Sequence, residues 1–303
     1  MGGFVVQRVV FGVVVLLAVI YLSYVGLSMA RGSGVYLALK GSVGETVEYV
    51  GRLARGDLGR SAAASVTQAS VTVAEVLPGM VRKSLGLLGA SLVLATMVAV
   101  PLGVWGATRG RSVWSLMTVL VSIAGVSVPS FFAAVLLQLG AIRLTRVLGR
   151  PVVPVGGFGW DRHLILPALV LAARPIAQIY RVTYVTVGEV LEQDYVRTAR
   201  SKGLRELVVV GRHVIRNAAI PILTTVGMSQ RFSMSSLPVV EFFFGWPGVG
   251  FTLLKSISRQ DDNLTVALVL CLGVLFIGVN VVLEGLYRLI DPRLRDGRGR
   301  GGR

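Results

Sequence analysis

The groups in this 303-residue sequence best placed to do chemistry are polar side chains set inside apolar stretches, together with one basic loop. Thr225, Ser229, Ser233 and Ser236 recur at i, i+4, i+8 and i+11, a single stripe on a helix. Such a stripe can form one wall of a translocation path and hydrogen-bond a polar solute. It can equally pack one membrane helix on another, a use to which small hydroxyl residues are suited. Arg231 stands among them, and an arginine at the centre of a membrane helix costs about 2.5–3.5 kcal/mol on insertion scales. Arg231 therefore faces either water, as a path residue, or a carboxylate across a subunit interface. Arg174 and Gln178, one helical turn apart, pose the same choice. The remaining group is the loop 186–217. Its residues Tyr195, Val196 and Ala199 share one helical face, and Val209, His213 and Arg216 share another. Gly203 falls between, where a residue free to take positive φ can end one helix and begin the next. Two short amphipathic helices with a glycine bend make a rigid protrusion suited to docking a cytoplasmic partner.

Catalysis would need more than this. The sequence has no G-x-x-x-x-G-K-[ST] to cradle nucleotide phosphates, no H-E-x-x-H and no G-x-S-x-G. Its 15 acidic residues sit almost wholly in loops, so no buried carboxylate pair is expected to relay protons. Glu284 reads as the one acidic residue inside an apolar run, near its end, where an interfacial position is the simpler reading. His163 and His213 are too far apart to suggest a metal site, and the lone Cys271 excludes both a disulfide framework and a cysteine-based zinc site. Cys271 and Asn280 read as packing residues. No catalytic residue, metal ligand or cofactor is expected on this chain.

The elements that must position these groups are membrane spans. Hydrophobic residues make up 53% of the chain and charged residues 15%, against about 25% charged in soluble domains, and the mean hydropathy is +0.72. Crossing a hydrocarbon core takes about 20 apolar residues. Charge-poor runs of that length place six spans, at about 9–30, 84–108, 113–142, 164–185, 218–240 and 264–286. The first is too long for the apolar region of a signal peptide, and Pro129 should kink the third. Pro221 falls in the first turn of the fifth, where proline is tolerated. With the N-terminus inside, the inner segments hold 16 basic residues in 68 positions and the outer ones 13 in 98. That bias puts both termini and the 186–217 loop in the cytoplasm and the segment 31–83 outside. The net charge of +16 then reflects residues flanking spans. The Gly/Arg tail 295–303 fits anionic lipid headgroups, and no nucleic-acid partner is expected.

The basic loop also carries a resemblance. Asp194-Tyr195-Val196-Arg197-Thr198-Ala199-Arg200-Ser201-Lys202-Gly203-Leu204, then Arg212-His213 and Arg216-Asn217-Ala218, resembles the coupling loop of ABC-importer permeases. Within these it is similar to the B-type subunit of the dipeptide/oligopeptide/nickel branch. The general pattern is Glu-Ala-Ala, then Gly, then Ile-x-Leu-Pro. Here Arg197-Thr198-Ala199 replaces the first part, Gly203 is kept, and His213-Val214-Ile215-Arg216 stands in the last position, as in the peptide branch. Further matches follow in order: Gly56-Asp57-Leu58-Gly59-Arg60-Ser61, Val128-Pro129-Ser130-Phe131, Leu166-Pro167-Ala168-Leu169, Gly245-Trp246-Pro247-Gly248-Val249-Gly250, then Asn280, Tyr287 and Asp291-Pro292-Arg293. The likeness covers about residues 1–295, although a Gly-Asp-Pro usual after the first span is missing.

The resemblance implies an all-α membrane protein with the type I ABC-importer transmembrane fold. It implies pairing with a related C-type permease, two ATPase subunits carrying ATP and Mg, and an extracytoplasmic solute-binding protein. Tyr195, Arg197, Ala199, Lys202, Gly203, His213, Arg216 and Asn217 would then couple ATP hydrolysis on the partners to alternating access. Peptides are the expected cargo, with oligosaccharides or nickel as alternatives in the same branch. A channel or structural membrane protein with an unrelated basic loop is the reading from another class.

Overall fold

The structure, a computed structural model, describes residues 2–61, 71–109 and 128–290, with side chains from residue 10 onward except at 284 and 286–290. Residues 113–127 of the third expected span, the side chains of Glu284 and Tyr287, the Asp291-Pro292-Arg293 match and the Gly/Arg tail lie outside the described residues. The helices are α1 (Gly2–Ala30), α2 (Val35–Leu53), α3 (Val73–Thr108), α4 (Ser130–Leu148), α5 (Ile165–Leu191), α6 (Asp194–Ser201), α7 (Arg216–Phe244), α8 (Val249–Ser258) and α9 (Asp262–Ile290). One short antiparallel pair, β1 (Arg60–Ser61) with β2 (Val71–Thr72), precedes α3. Among the described residues, six helical stretches are long and apolar enough to cross a membrane: Val10–Ala30, Val73–Thr108, Ser130–Leu148, Arg162–Leu191, Glu206–Phe244 and Asp262–Leu283. Hydrocarbon cannot hydrogen-bond a backbone, which is why apolar runs of this length close their bonds within a helix.

The helix ends differ from the charge-free runs because charge marks the edge of the hydrocarbon, whereas the helix ends where its capping chemistry does. Helix α3 begins at Val73 and carries Glu75, Arg82 and Lys83 before the apolar run. Pro129 does not kink a helix: its backbone is extended (φ −60°, ψ 141°) and it caps α4, which continues past Arg143 and Arg146 to Gly149 in a left-handed conformation. Helix α2 lies in the segment 31–83, where the sequence reading assigned no helix. Pro221 is inside a helix already under way, not in its first turn.

The chain forms two compact units. The first contains residues 1–85 and 245–279. Ile20 and Tyr24 of α1, Tyr49 of α2, and Val266 and Leu270 of α9 make one of its cores. Two matched motifs are staples here. In the first, Gly56 and Gly59 take positive φ (78° and 85°), and Asp57 Oδ1 accepts the Gly59 N–H at 2.8 Å. The chain then enters β1, where Ser61 Oγ donates to Asp261 Oδ2 at 2.5 Å, while Asp261 Oδ1 caps α9 through the Leu264 N–H at 3.0 Å. In the second, Trp246 is fully buried. Its indole N–H donates to the Lys83 carbonyl at 3.1 Å, and the Val249 N–H donates to Ser84 Oγ at 2.9 Å. Trp246→Phe should lower the stability of the purified protein by about 1–3 kcal/mol, from a lost buried hydrogen bond and lost ring volume. A melting curve in detergent that matches wild type would refute that role.

The second unit contains residues 86–244 and 280–303. Helices α5 and α7 pack along much of their length, and Ala95 and Ala99 of α3 meet Ala172, Ile179 and Tyr180 of α5 in a core. Gln138 of α4 donates through Nε2 to the carbonyls of Val155 (2.8 Å) and Phe243 (3.0 Å), and the Gly157 N–H donates to Phe244 O at 2.7 Å. In the turn before α5, the His163 ring nitrogen lies 2.7 Å from Asp161 Oδ1, and this contact holds the Asp161 carboxyl below its usual range. Glu241 departs from the expectation that acidic residues avoid the spans: it sits in the last turns of α7 and is fully buried. The expected fifth span stopped one residue short of it.

Candidate coupling loop and solute path

The candidate coupling loop is built on one buried face. Helix α6 opens after Gln193 with Asp194 in its first turn, a favourable place for a carboxylate at the positive end of a helix. Val196 and Ala199 are buried and meet Val187 of α5 and Val209, Val214, Ala218 and Ile222 beyond the bend. The bend is Gly203, at φ +73°. Extended Arg205 then leads into a short turn (Glu206–Val208) that continues as a π-helical turn over Val209–Ile215 and runs directly into α7.

This corrects the second short helix expected from the sequence, because the segment is the start of α7 itself. It also corrects the face. Ordinary helical spacing groups Val209 with His213 and Arg216, whereas the wider π-helical turn buries Val209 with Val214 and leaves His213 half-buried and Arg216 exposed. Tyr195 likewise leaves the face of Val196 and Ala199 and is 43% exposed.

Several expected coupling residues do converge. Asn217 Nδ2 donates to the His213 carbonyl (2.7 Å) and to Tyr195 Oη (3.1 Å), tying α6 to the start of α7. Arg197, Lys202 and Gly203 are exposed. Across the bend, Arg200 donates to both carboxylate oxygens of Glu206, at 2.6 and 3.2 Å, a pair that sequence reading did not single out. The hydrogen bond from Arg200 pulls the Glu206 carboxyl below its usual range. A carboxyl with a depressed folded value contributes stability above the ordinary glutamate range and loses it only as pH falls through the lower value. Glu206→Gln should therefore cost a fraction of a kcal/mol near neutral pH, both partners being largely exposed, with the difference shrinking in acid. A pH series of melting temperatures checks this. Around the bend, Leu204, Leu207 and Val208 are exposed, Leu207 by 88%, next to the cations Lys202 and Arg205.

The expected path residues divide. Ser229 and Ser233 are buried, with Ser229 bonded to Val226 O (2.7 Å) and Ser233 reaching across to Leu171 O of α5 (3.0 Å). Ser229 belongs to helix packing, whereas Ser233 both packs on α5 and borders a cavity. Thr225 and Ser236 are half-buried and line two cavities of about 680 Å³ each on the α5–α7 face. Arg174 lines one and Gln178 the other. Arg231 is exposed and lines neither cavity. Sequence reading missed Phe232, which lines both, and Arg181, three residues after Gln178. The signal was present in the spacing: Arg174, Gln178, Arg181 and Val185 mark one face of α5.

Residues 99–296 match the family described as binding-protein-dependent transport system inner membrane component. The chain belongs to that family. It is thus the membrane component of a transport system, of bacterial inner-membrane type, and its fold is the type I ABC-importer membrane domain. Among curated relatives, the di/tripeptide transport system permease protein DppB of Pseudomonas aeruginosa (strain UCBPP-PA14) is 36% identical over 277 residues, 83% of this chain and 80% of the relative. The oligopeptide transport system permease protein AppB of Bacillus subtilis (strain 168) is 28% identical over 324 residues, 97% of this chain and 99% of the relative. The resemblance stated from the coupling loop and the turn motifs is therefore to the right family.

Proposed function

We propose that this permease imports peptides and couples their passage to ATP hydrolysis on two partner ATPase subunits, with ATP and Mg held there. A related C-type permease pairs with it and an extracytoplasmic binding protein delivers cargo. The observation that carries the reading is the loop 194–217, a rigid bend with an exposed apolar knob and a buried face locked onto α5 and α7. A force on the knob is transmitted straight into α7, one wall of the proposed path, because no flexible joint separates the π-helical turn from that helix. The relatives' names support peptides over oligosaccharides or nickel. Both termini lie in the cytoplasm on this reading, as the basic-residue bias indicates.

Co-expression with ATPase subunits and a solute-binding protein from the same genome, followed by uptake of labelled tripeptides into proteoliposomes, tests the proposal. Uptake that needs both ATP and binding protein supports it; uptake that needs neither would indicate a channel. Topology has its own check. In a Cys271→Ser background, Ser201→Cys and Val47→Cys should label from opposite sides of the membrane, and labelling from one side would refute the arrangement.

A further inference from the structure

Phe232 is the one described residue that lines both cavities. One cavity lies toward the 128–137 end of the α5–α7 face, the other toward the coupling loop. At the junction, the Arg174 guanidinium carbon stands 4.8 Å from the centre of the Phe232 ring. The first cavity is walled by Phe131, Leu136, Leu137 and Val170, and Arg174 is the single charged residue among its lining. Among the described residues, no hydrogen bond or ion pair engages that guanidinium, and its contact is with the ring.

We propose that Arg174 reads a carboxylate on the cargo, and that Phe232 is the partition the cargo moves to pass from one cavity to the next. This rests on the peptide-import reading above and deepens it. A guanidinium within a membrane helix is costly unless it meets water or an anion, so the α5–α7 face near Arg174 is suited to one of these and not to lipid. A guanidinium offers five donors in a planar fork that fits a carboxylate through two bonds. A cavity of about 680 Å³ falls in the range of small-ligand sites, and apolar walls with one placed charge are their usual make-up. The class this fits is a small molecule with an apolar side chain and a free carboxylate. A carboxylate pairs with the guanidinium through its in-plane edge donors, which the contact with the ring leaves accessible. Phe232, which borders both cavities, is then the side chain the held cargo must push aside to go further.

The test uses the assembled importer in proteoliposomes with its binding protein and internal ATP, and compares trialanine with trialanine amide. Arg174→Gln should slow trialanine uptake by about tenfold or more, the amide by less than about twofold, and Arg174→Lys should recover part of the loss, since lysine keeps the charge without the fork. ATP hydrolysis stimulated by loaded binding protein should persist in Arg174→Gln. Where wild type carries no amide, the lysine rescue and the preserved ATP hydrolysis decide. Unchanged trialanine uptake in Arg174→Gln overturns the carboxylate site and leaves peptide import standing. Equal losses for acid and amide, or lost ATP hydrolysis, also overturn it, because they mark a structural role. Wild-type vesicles that import neither compound overturn the peptide reading itself, and the site with it.

Discussion

A valine at position 203 should uncouple the importer while its membrane helices stay folded. Gly203 sits at φ +73°, and a Cβ built there meets nothing within 4 Å. Space is thus no obstacle, and the penalty falls wholly on the backbone. The left-handed conformation costs an ordinary L-residue about 1–2 kcal/mol, and a β-branched one more. The chain can avoid that cost only by unwinding the end of α6, which draws Val196 and Ala199 away from Val187, Val209 and Val214. Binding-protein-stimulated ATP hydrolysis should fall about tenfold or more in Gly203→Val, each 1.4 kcal/mol being a factor of ten. Gly203→Asn should stay within about twofold of wild type, since asparagine tolerates this conformation. The pair of variants separates backbone from bulk. If valine and asparagine behave alike, the bend is not what transmits the stroke.

What could be read in advance follows from which forces act locally. Runs such as Val9–Ala30 and Leu264–Leu286 announce their helices because hydrocarbon leaves the backbone no other solution. The Gly56–Ser61 and Gly245–Gly250 motifs were legible as landmarks, but not as the staples they are, since their partners Asp261, Lys83 and Ser84 are distant in sequence. The π-helical turn at Val209–Ile215 defeated the facial reading, because a 3.6-residue period assigns buried positions wrongly once the period widens. Helix α2 was missed because its apolar positions are interrupted by Gly41, Gly44, Glu45 and Glu48, and part of its stability comes from packing Ala38, Ser42 and Tyr49 inward. Among the polar residues of α7, type alone could not sort the path from the packing. Ser233 and Ser236 have the same chemistry and border the same cavity, yet one is buried and bonded to a carbonyl of α5 and the other is only half-buried.

Gly103→Leu should prevent the permease from assembling. Helices in lipid gain little from hydrophobicity against one another and associate through close packing, which small residues allow. On α3 the small residues Ala95, Ala99, Gly103 and Gly106 fall on one face. A Cβ at Gly103 would stand 2.7 Å from Thr183 Cβ and 2.8 Å from its Cγ2, with the Tyr180 carbonyl at 3.1 Å. Thr183 is branched at Cβ, so no rotation clears the space, and a backbone carbonyl cannot rotate away either. Even Gly103→Ala should cost about 1–3 kcal/mol, the range for overpacking, and leucine adds three carbons to the same clash. Gly140 supplies the control: it lies within α4, and a Cβ there meets nothing within 4 Å. Gly140→Ala should be neutral or stabilise by up to about 1 kcal/mol through helix propensity alone. Thr183→Gly, which removes the obstructing side chain, should restore part of the loss in the Gly103→Ala background. Yield of assembled complex and its melting temperature in detergent read all four variants. Equal melting of the Gly103→Ala and Gly140→Ala proteins would mean that α3 and α5 do not meet at this distance.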